Sequence, residues 1–378
     1  MEKKYQICTS CVMDTSDPKI SFDENGVCDH CKSFKKDVEP FWFPNDKGKA
    51  IFSKQVKEIK NKTKGKEFDS IMGLSGGLDS SYLLHMAVKE FGLRPLVFHV
   101  DGGWNTDLAV SNIEKMVKKL GLELYVEVIN WEEMKDFQLA WFKSGTPHLD
   151  IAQDHAFFGT MFHFARKYKI DTILNGGNIS TECIRNPLDW IYYGTDMTLI
   201  KDIRRKFSTN KMQTYPWSSI FYHKIYLRYF KKIKVLRPLN LMPYNKNMAI
   251  ETLSKEYGWT AYPQKHFESR FTKFYEGYWL PTRFGYDTRR VQFSSLIVTG
   301  QMTRDEALME LKKSPYDKKT IKDDIKFVAN KLGISTDELM KYHSMEKKWW
   351  FDYNNEKRIF DIGAKILQFL RIEFSIKR

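Results

Sequence analysis

No apolar run in the sequence approaches the roughly 18 residues that cross a bilayer, and the opening MEKKYQICTSC lacks the apolar stretch of a signal peptide. The expectation is a cytoplasmic chain with no membrane span. Cysteine is scarce, five in 378 residues. In a reducing compartment that argues against a disulfide scaffold and leaves ligation, catalysis or core packing. Acidic residues are the minority charge: 61 Lys and Arg against 47 Asp and Glu leave a net +14. Such a balance suits a polyanionic partner, whether phosphorylated small molecule, nucleic acid or membrane surface, and does not choose among them. Internal repeats and low-complexity tracts are also missing. With 42% hydrophobic and 15% aromatic residues, the composition is that of a globular chain rather than a disordered one.

What is present begins with four of the five cysteines. Cys8 and Cys11 form one CxxC pair and Cys28 and Cys31 another, with a turn signal at Asn25-Gly26 between them. Each pair lets a tight turn aim two thiolates at one tetrahedral metal, the pattern of a zinc ribbon. Four thiolates close the coordination shell, so the zinc is expected to be structural. His30, between the second pair, is read as a bystander.

From Phe68 onward, short apolar runs alternate with amphipathic stretches, which predicts a parallel sheet covered by helices. Strands are expected at Phe68–Leu74, Pro95–Asp101, Glu123–Ile129 and Asp171–Asn175, with a further short strand and exit loop over Pro238–Tyr244. Helices are expected at Ser80–Phe91, Asp107–Leu120, His155–Tyr168 and up to Tyr257, with Gly92 and Gly121 at helix ends. Residues 200–239 read as an insertion: eleven Lys or Arg against the single acid Asp202, interleaved with aromatics from Tyr215 to Phe230. That mixture suits single-stranded nucleic acid, a membrane-surface helix or a protein partner, and equally a solvated basic face over ordinary core aromatics. Beyond about residue 260 the pattern is helical, with capping boxes at Thr303 with Glu306 and Ser335 with Glu338. The division expected is a zinc ribbon at 1–45, an α/β domain at 46–260 and a helical region at 261–378.

The first strand runs directly into Ser75-Gly76-Gly77-Leu78-Asp79-Ser80-Ser81 and then a helix. Strand, glycine loop and helix in that order form a phosphate cradle. Glycine lets the backbone approach anionic oxygens, and serine hydroxyls and helix N-terminal N–H groups donate to them. Asp79 would repel bare phosphate but suits a magnesium ion bridging pyrophosphate oxygens. The loop is not a Walker A loop, because the GK[ST] ending is absent.

SGGLDSS in this setting resembles the PP-loop of the ATP pyrophosphatases, which include NAD, GMP and asparagine synthetases and tRNA thiolases. The resemblance implies a doubly wound parallel sheet that binds ATP and adenylates a carbonyl oxygen. It places Asp101, after the second strand, near the nucleoside. It also lines the cleft with Asn175-Gly176-Gly177-Asn178 and makes Lys246 a phosphate lysine; a surface residue opening a helix is the other reading of Lys246. Cys183 lies outside the zinc set. It sits in ISTECIRN and not in a glycine-rich nucleophile elbow.

Adding FHVDGGWN, GTPHLD, QDHAF, NGGN and KHFESRFTKFYEGYWLPTRFGYDTRR, the chain resembles the N-acetyl sugar amidotransferase family, WbpG-like and PseA-like, of O-antigen and pseudaminic acid biosynthesis. The resemblance implies conversion of an acetamido group on a sugar to an acetamidino group. It also implies a partner glutaminase pair similar to HisH and HisF that supplies ammonia. A tRNA thiolase-like enzyme is the competing reading. It usually needs more cysteines than Cys183 and a lysine where this loop has Leu78, so nucleic acid is not the expected partner. A non-catalytic nucleotide-binding protein would need a degenerate loop, and this loop keeps its Ser, Gly and Asp residues.

His148, Asp150, Asp154 and His155 stand at the start of the helix that leads into the fourth strand, a position that faces the cleft of an open α/β sheet. They either orient the acetamido group and take a proton from ammonia, or cap the helix and pack. Asp150 and His155 are the catalytic candidates, beside Asp79 and Lys246. Lys265, His266, Glu268, Arg270, Lys273, Arg283, Arg289 and Arg290 form a polar run that suits a sugar diphosphate or carboxylate, with structural ion pairs as the alternative.

Overall fold

The structure is a computed structural model and describes residues 4–219 and 233–369, with side chains to 366. Its first unit is built by the cysteines. Antiparallel bridges pair Ile7 with Asp14 and Phe22 with Cys28, and helix α1 (Asp29–Ser33) starts directly after Cys28. The four Sγ atoms lie within 4.8 Å of one another and all four cysteines are buried, a donor set that fits zinc. Backbone N–H groups of Ser10, Cys11 and Cys28 donate to Cys8 Sγ at 3.2–3.4 Å, and that of Met13 donates to Cys11 Sγ at 3.4 Å. Such bonds stabilise thiolates around a metal. His30 is not a ligand: its Nε2 lies 2.8 Å from Asp17 Oδ2.

Helix α2 (Asp46–Lys62) leads to β1 (Ser70–Gly73) and α3 (Leu78–His85). Then follow β2 (Pro95–Asp101), α4 (Asp107–Leu120), β3 (Leu124–Val128), α5 (Trp131–Ser144), α6 (Ile151–Lys167) and β4 (Thr172–Leu174). After α7 (Ile179–Glu182) and α8 (Met197–Phe207) come β5 (Lys234–Leu236) and α9 (Lys246–Tyr257). The strands form one parallel sheet in the order β3-β2-β1-β4-β5, with Ile71 opposite both Leu96 and Ile173. Strand order reverses beside β1, so the glycine loop that leaves β1 opens where such sheets bind ligands.

The two-residue period of each strand divides the core. Met72, Leu74 and Val97 pack with Phe52 of α2, Leu83 of α3 and Leu253 of α9 on one face. Ile71, Leu96, Phe98 and Ile173 pack with Met161, Phe162 and Phe164 of α6 on the other. Burial of each large side chain contributes roughly 1.5–3 kcal/mol.

The C-terminal part is helical: α10 (Arg270–Phe274), a wide π-type turn, α11 (Arg289–Val298), α12 (Arg304–Lys312), α13 (Ile321–Leu332), α14 (Thr336–Ser344) and α15 (Lys357–Phe369). Thr303 and Glu306 form the expected capping box, and Ser335 accepts from the Glu338 N–H. Phe271 of α10 and Phe327 of α13 close on Trp104, with ring centroids 5.0 and 6.3 Å away.

Several boundaries differ from the sequence reading. The late strand is Lys234–Leu236 and not Pro238–Tyr244, because Pro238 has no N–H for a ladder and opens a 3₁₀ turn instead. Helix α3 begins at Leu78 and passes into a π-type turn at Met86. Helix α6 begins at Ile151, earlier than His155. The reading placed no helix on Asp46–Lys62 or Trp131–Ser144. Of the basic aromatic segment, α8 buries Leu199, Ile200 and Ile203, and Tyr215 and Trp217 pack on Phe137 at 5.3 and 5.6 Å. These rings are core residues. Phe221, Tyr222, Tyr226, Tyr229 and Phe230 lie outside the described residues.

The cysteine unit is bonded to the C-terminal helices. Arg304 donates to the carbonyls of Cys8 and Cys11 at 2.9–3.1 Å, and Val12 N–H donates to Ser294 Oγ at 3.2 Å. Cys28→Ser is therefore expected to lower both the zinc content and the thermal midpoint by several degrees. Metal analysis with a thermal melt checks this; full stability without bound metal would refute a structural zinc.

Candidate active site

The loop after β1 is shaped by Gly76. Its φ is +82°, a conformation costly for any residue with a side chain, and a Cβ there would stand 2.8 Å from the Ala109 carbonyl oxygen. The Gly76 carbonyl is fixed by Trp259 Nε1 at 3.2 Å and the Tyr262 hydroxyl at 3.1 Å. Ser75 and Ser80 hydroxyls meet at 3.1 Å, and Gly77 N–H donates to Ser75 Oγ at 3.2 Å. Gly77 is the N-cap of α3 and no side chain caps that end, which leaves helix N–H groups for an anion. Ser81 is fully buried, and its hydroxyl has no hydrogen-bond partner among the described residues.

The loop opens into a cavity of about 720 Å³. Ser75, Gly77, Asp79, Ser80, Gly176, Lys246, Lys265, His266, Glu268 and Arg289 all line it. A charge cluster stands at its centre. Lys265 Nζ lies 2.9 Å from Asp79 Oδ2, 2.7 Å from Glu182 Oε1 and 3.1 Å from Thr181 Oγ1. The Tyr244 hydroxyl donates to Asp79 Oδ1. Burial pushes the Asp79 pKa up, but the Lys265 cation and these hydrogen bonds prevail and hold it below the carboxylate range. Lys246 opens α9, and burial plus the neighbouring Lys265 cation lower its pKa. Burial raises that of Glu268, whose Oε1 lies 2.7 Å from where a Gly77 Cβ would be.

Other residues singled out in the sequence lie outside the cavity or are already bonded within the protein. Asn178 caps α7, accepting from Thr181 N–H at 2.9 Å. Asp101 Oδ1 accepts from Gly103 N–H at 2.8 Å and from Asn105 Nδ2 at 3.1 Å. Arg270 and Lys273 both pair with Asp324, at 3.1 and 2.8 Å. Arg290 pairs with Asp14 at 3.0 Å and bonds the Val12 carbonyl at 2.8 Å, so it holds the cysteine unit. Arg283 donates to the carbonyls of Met345 and Glu346 at 2.9 and 3.1 Å. Arg289 lines the cavity but already grips Asp287 with two nitrogens, at 2.7 and 2.9 Å.

His148, Asp150 and His155 are buried outside the cavity wall. His155 Nδ1 donates to the Gly194 carbonyl at 2.8 Å and Nε2 accepts from Ser218 N–H at 3.0 Å, which occupies both ring nitrogens. His148 Nε2 lies 3.7 Å from Asp154. Asp150 stands at the N-cap of α6 without a capping bond; its carboxylate accepts from Thr272 Oγ1 at 2.7 Å and from Gln153. Sequence reasoning missed Tyr244, Glu182 and Tyr262. Their only signal is proximity to the cleft motifs: Tyr244 stands two residues before Lys246.

Burial, aided by the Asp154 charge, pushes the Asp150 pKa up to about 8. The native state then binds the extra proton between the ordinary carboxyl range and about pH 8. This group's contribution to stability is therefore full in acid and is lost as pH rises through that window. Asp150→Asn is expected to flatten that part of the profile and to be at least as stable as the parent at pH 8. Denaturant melts across pH check this; an unchanged slope would contradict it.

Residues 69–149 match the phosphoadenosine phosphosulfate reductase domain. Residues 268–367 match the C-terminal domain of the LPS biosynthesis protein WbpG-like family. Sulfate adenylyltransferase subunit 2 of Marinomonas sp. (strain MWYL1) is 45% identical over 64 residues, 16% of this chain and 21% of the relative. That of Saccharophagus degradans is 38% identical over 95 residues, 24% of this chain and 31% of the relative. The chain thus spans about a fifth to a third of the length of these curated relatives. Among solved structures, the NH3-dependent NAD synthetase from Campylobacter jejuni, in complex with the nitrate ion, aligns at 14% identity and a TM-score of 0.30, over 80% of this chain and 98% of that one. A phosphoadenosine phosphosulfate reductase-type domain and a WbpG-like C-terminal domain thus lie on one chain, which supports a WbpG-like PP-loop protein.

Proposed function

We propose that the chain is an ATP-dependent, AMP-forming amidotransferase that converts the acetamido group of an N-acetylated, nucleotide-linked sugar into an acetamidino group in the cytoplasm. The amide oxygen attacks the α-phosphorus of ATP, the bond to the β-phosphate breaks, and pyrophosphate leaves. Ammonia adds to the activated carbon, the carbon–oxygen bond breaks, and AMP departs with the former amide oxygen. Amide, ATP and ammonia thus give amidine, AMP and pyrophosphate.

The observation that carries this reading is that the glycine loop with its Asp79, and the cations Lys265 and Lys246, line one cavity. Fixed cations and loop N–H groups stabilise charge as the phosphoanhydride breaks. Magnesium, when bound, adds positive charge at the departing pyrophosphate. Asp79 would hold it, since each carboxylate oxygen has one protein hydrogen bond and a lone pair remaining. The name of the sulfate adenylyltransferase relatives supports an adenylation step, and the WbpG-like domain supports a lipopolysaccharide sugar as the acceptor.

Ammonia comes from a partner glutaminase pair of the HisH and HisF kind, because nothing in the chain reads as a glutaminase. Cys183 is buried and bonded to the Ser295 carbonyl, and burial pushes its thiol up to about 12. It suits neither that nucleophile nor the sulfur carriage a thiolase would need. Among the described residues no helix is long and apolar enough to cross a membrane.

The test is pyrophosphate release from ATP, magnesium and ammonium chloride, comparing UDP- and CMP-linked diacetamido sugars with unmodified tRNA. The expected result is a sugar product lighter by the difference between O and NH. Asp79→Asn is expected to lower kcat/KM at least about 100-fold with little change in fold. Release that depends on tRNA and on no sugar would overturn the proposal.

A further inference from the structure

Behind the phosphate-loop cavity lies a second chamber of about 360 Å³, within the range of about 300–1,000 Å³ in which small molecules bind. The two share Thr181, Glu182, Lys265, His266 and Gln292, so the Lys265 cluster is the partition between them. An acceptor seated in the second chamber would meet ATP across this partition without competing for the phosphate loop. We infer that the second chamber is the acceptor subsite, built for a single N-acetylated sugar ring, with Asn186 as a specificity residue and His266 at the point of contact with the nucleotide. The inference rests on the amidotransferase reading and extends it to residues that the reaction alone does not name.

Three observations carry it. The first is an unsatisfied atom. Asn186 lines the chamber, and its Oδ1 is shielded from solvent with no hydrogen-bond partner among the described residues. A buried acceptor left open is costly, and rotation of the amide toward a ligand N–H or O–H in the chamber, such as an acetamido nitrogen or a sugar hydroxyl, would satisfy it. The second is the wall. Leu188, Ile191, Tyr192 and Tyr193 supply apolar and aromatic surface, as a sugar ring's C–H faces require. Tyr192 stacks on Trp350 at 4.8 Å and Tyr193 on Phe360 at 4.3 Å, so the C-terminal segment stiffens this wall. The third is the partition. His266 holds a left-handed backbone, φ +67°, although it carries a side chain. Its Nδ1 lies 3.1 Å from Glu276 Oε1, and Glu276 in turn accepts from Thr288 Oγ1 at 3.3 Å. Glu276 and Thr288 both line the chamber, and the ring is thereby fixed where the two cavities meet. Burial opposes the charged imidazole, but Glu276 raises its pKa to about 9, which makes it a donor toward a phosphate oxygen rather than a base for ammonia.

The test is hydrogen–deuterium exchange on the full chain, with a non-hydrolysable ATP analogue and with UDP- and CMP-linked diacetamido sugars. The analogue is expected to protect residues 73–80, and at least one sugar to protect 184–193. In parallel, Asn186→Leu is expected to raise the sugar KM at least about tenfold, the scale of a lost buried hydrogen bond, while the Kd for the ATP analogue stays unchanged. Sugars that protect 184–193 without turnover would keep the subsite and overturn the amidation reading. Turnover with protection elsewhere, or with an unaltered KM in Asn186→Leu, would overturn the subsite and leave the amidation reading standing. No protection at 184–193 by any sugar of the panel would also overturn the subsite.

Discussion

The Lys265 ammonium is the contact on which the candidate site depends. It bonds Asp79 on the phosphate loop, Thr181 and Glu182 on the helix after β4, and itself belongs to the segment leading into the C-terminal helices. These parts are far apart in sequence, and one cation draws them to a common point. The cluster is partly buried, with 21% of the Lys265 side chain exposed, so the attraction is screened less than on an open surface. Removing the ammonium would leave the Asp79 and Glu182 carboxylates beside each other without their shared cation, a costly arrangement.

The far wall is held by a different device. Helices α11 and α12 contribute Arg289, Gln292, Leu296 and Glu306 to the main cavity. The same helices bond the cysteine unit through Arg290, Ser294 and Arg304. The four cysteines thus stand in the unit against which the cavity's wall is seated. A metal that closes a small unit lacking its own large core can brace a neighbour in this way.

Much of this was legible because local sequence codes for local geometry. SGGLDSS after an apolar run determines a loop that only glycine can form, and Gly76 at φ +82° is its direct expression. Two CxxC pairs determine a ligand cluster, and alternating apolar runs determine a parallel sheet. The reading went astray where partners come from afar. Asp150 and His155 stand at the expected helix start, yet Thr272, Gly194 and Ser218 take up their polar atoms. Arg270, Arg283 and Arg290 sit in a run that suits an anion, and each is held by a protein acceptor instead. Charge in a sequence has no address until folding chooses its counter-ion.

By itself, then, the sequence determined the strand, glycine loop and helix that open the cavity, the four-cysteine cluster and the alternation that makes the sheet. Each is written in contiguous or closely spaced residues whose backbone freedom or period permits one outcome. Only the tertiary structure decided that Lys265 and not Lys246 would bind Asp79, that Tyr244 and Glu182 would join them, and that a second chamber would open behind His266. These are meetings of side chains separated by up to 186 positions. They depend on how the layers pack and on which buried charges must find a partner.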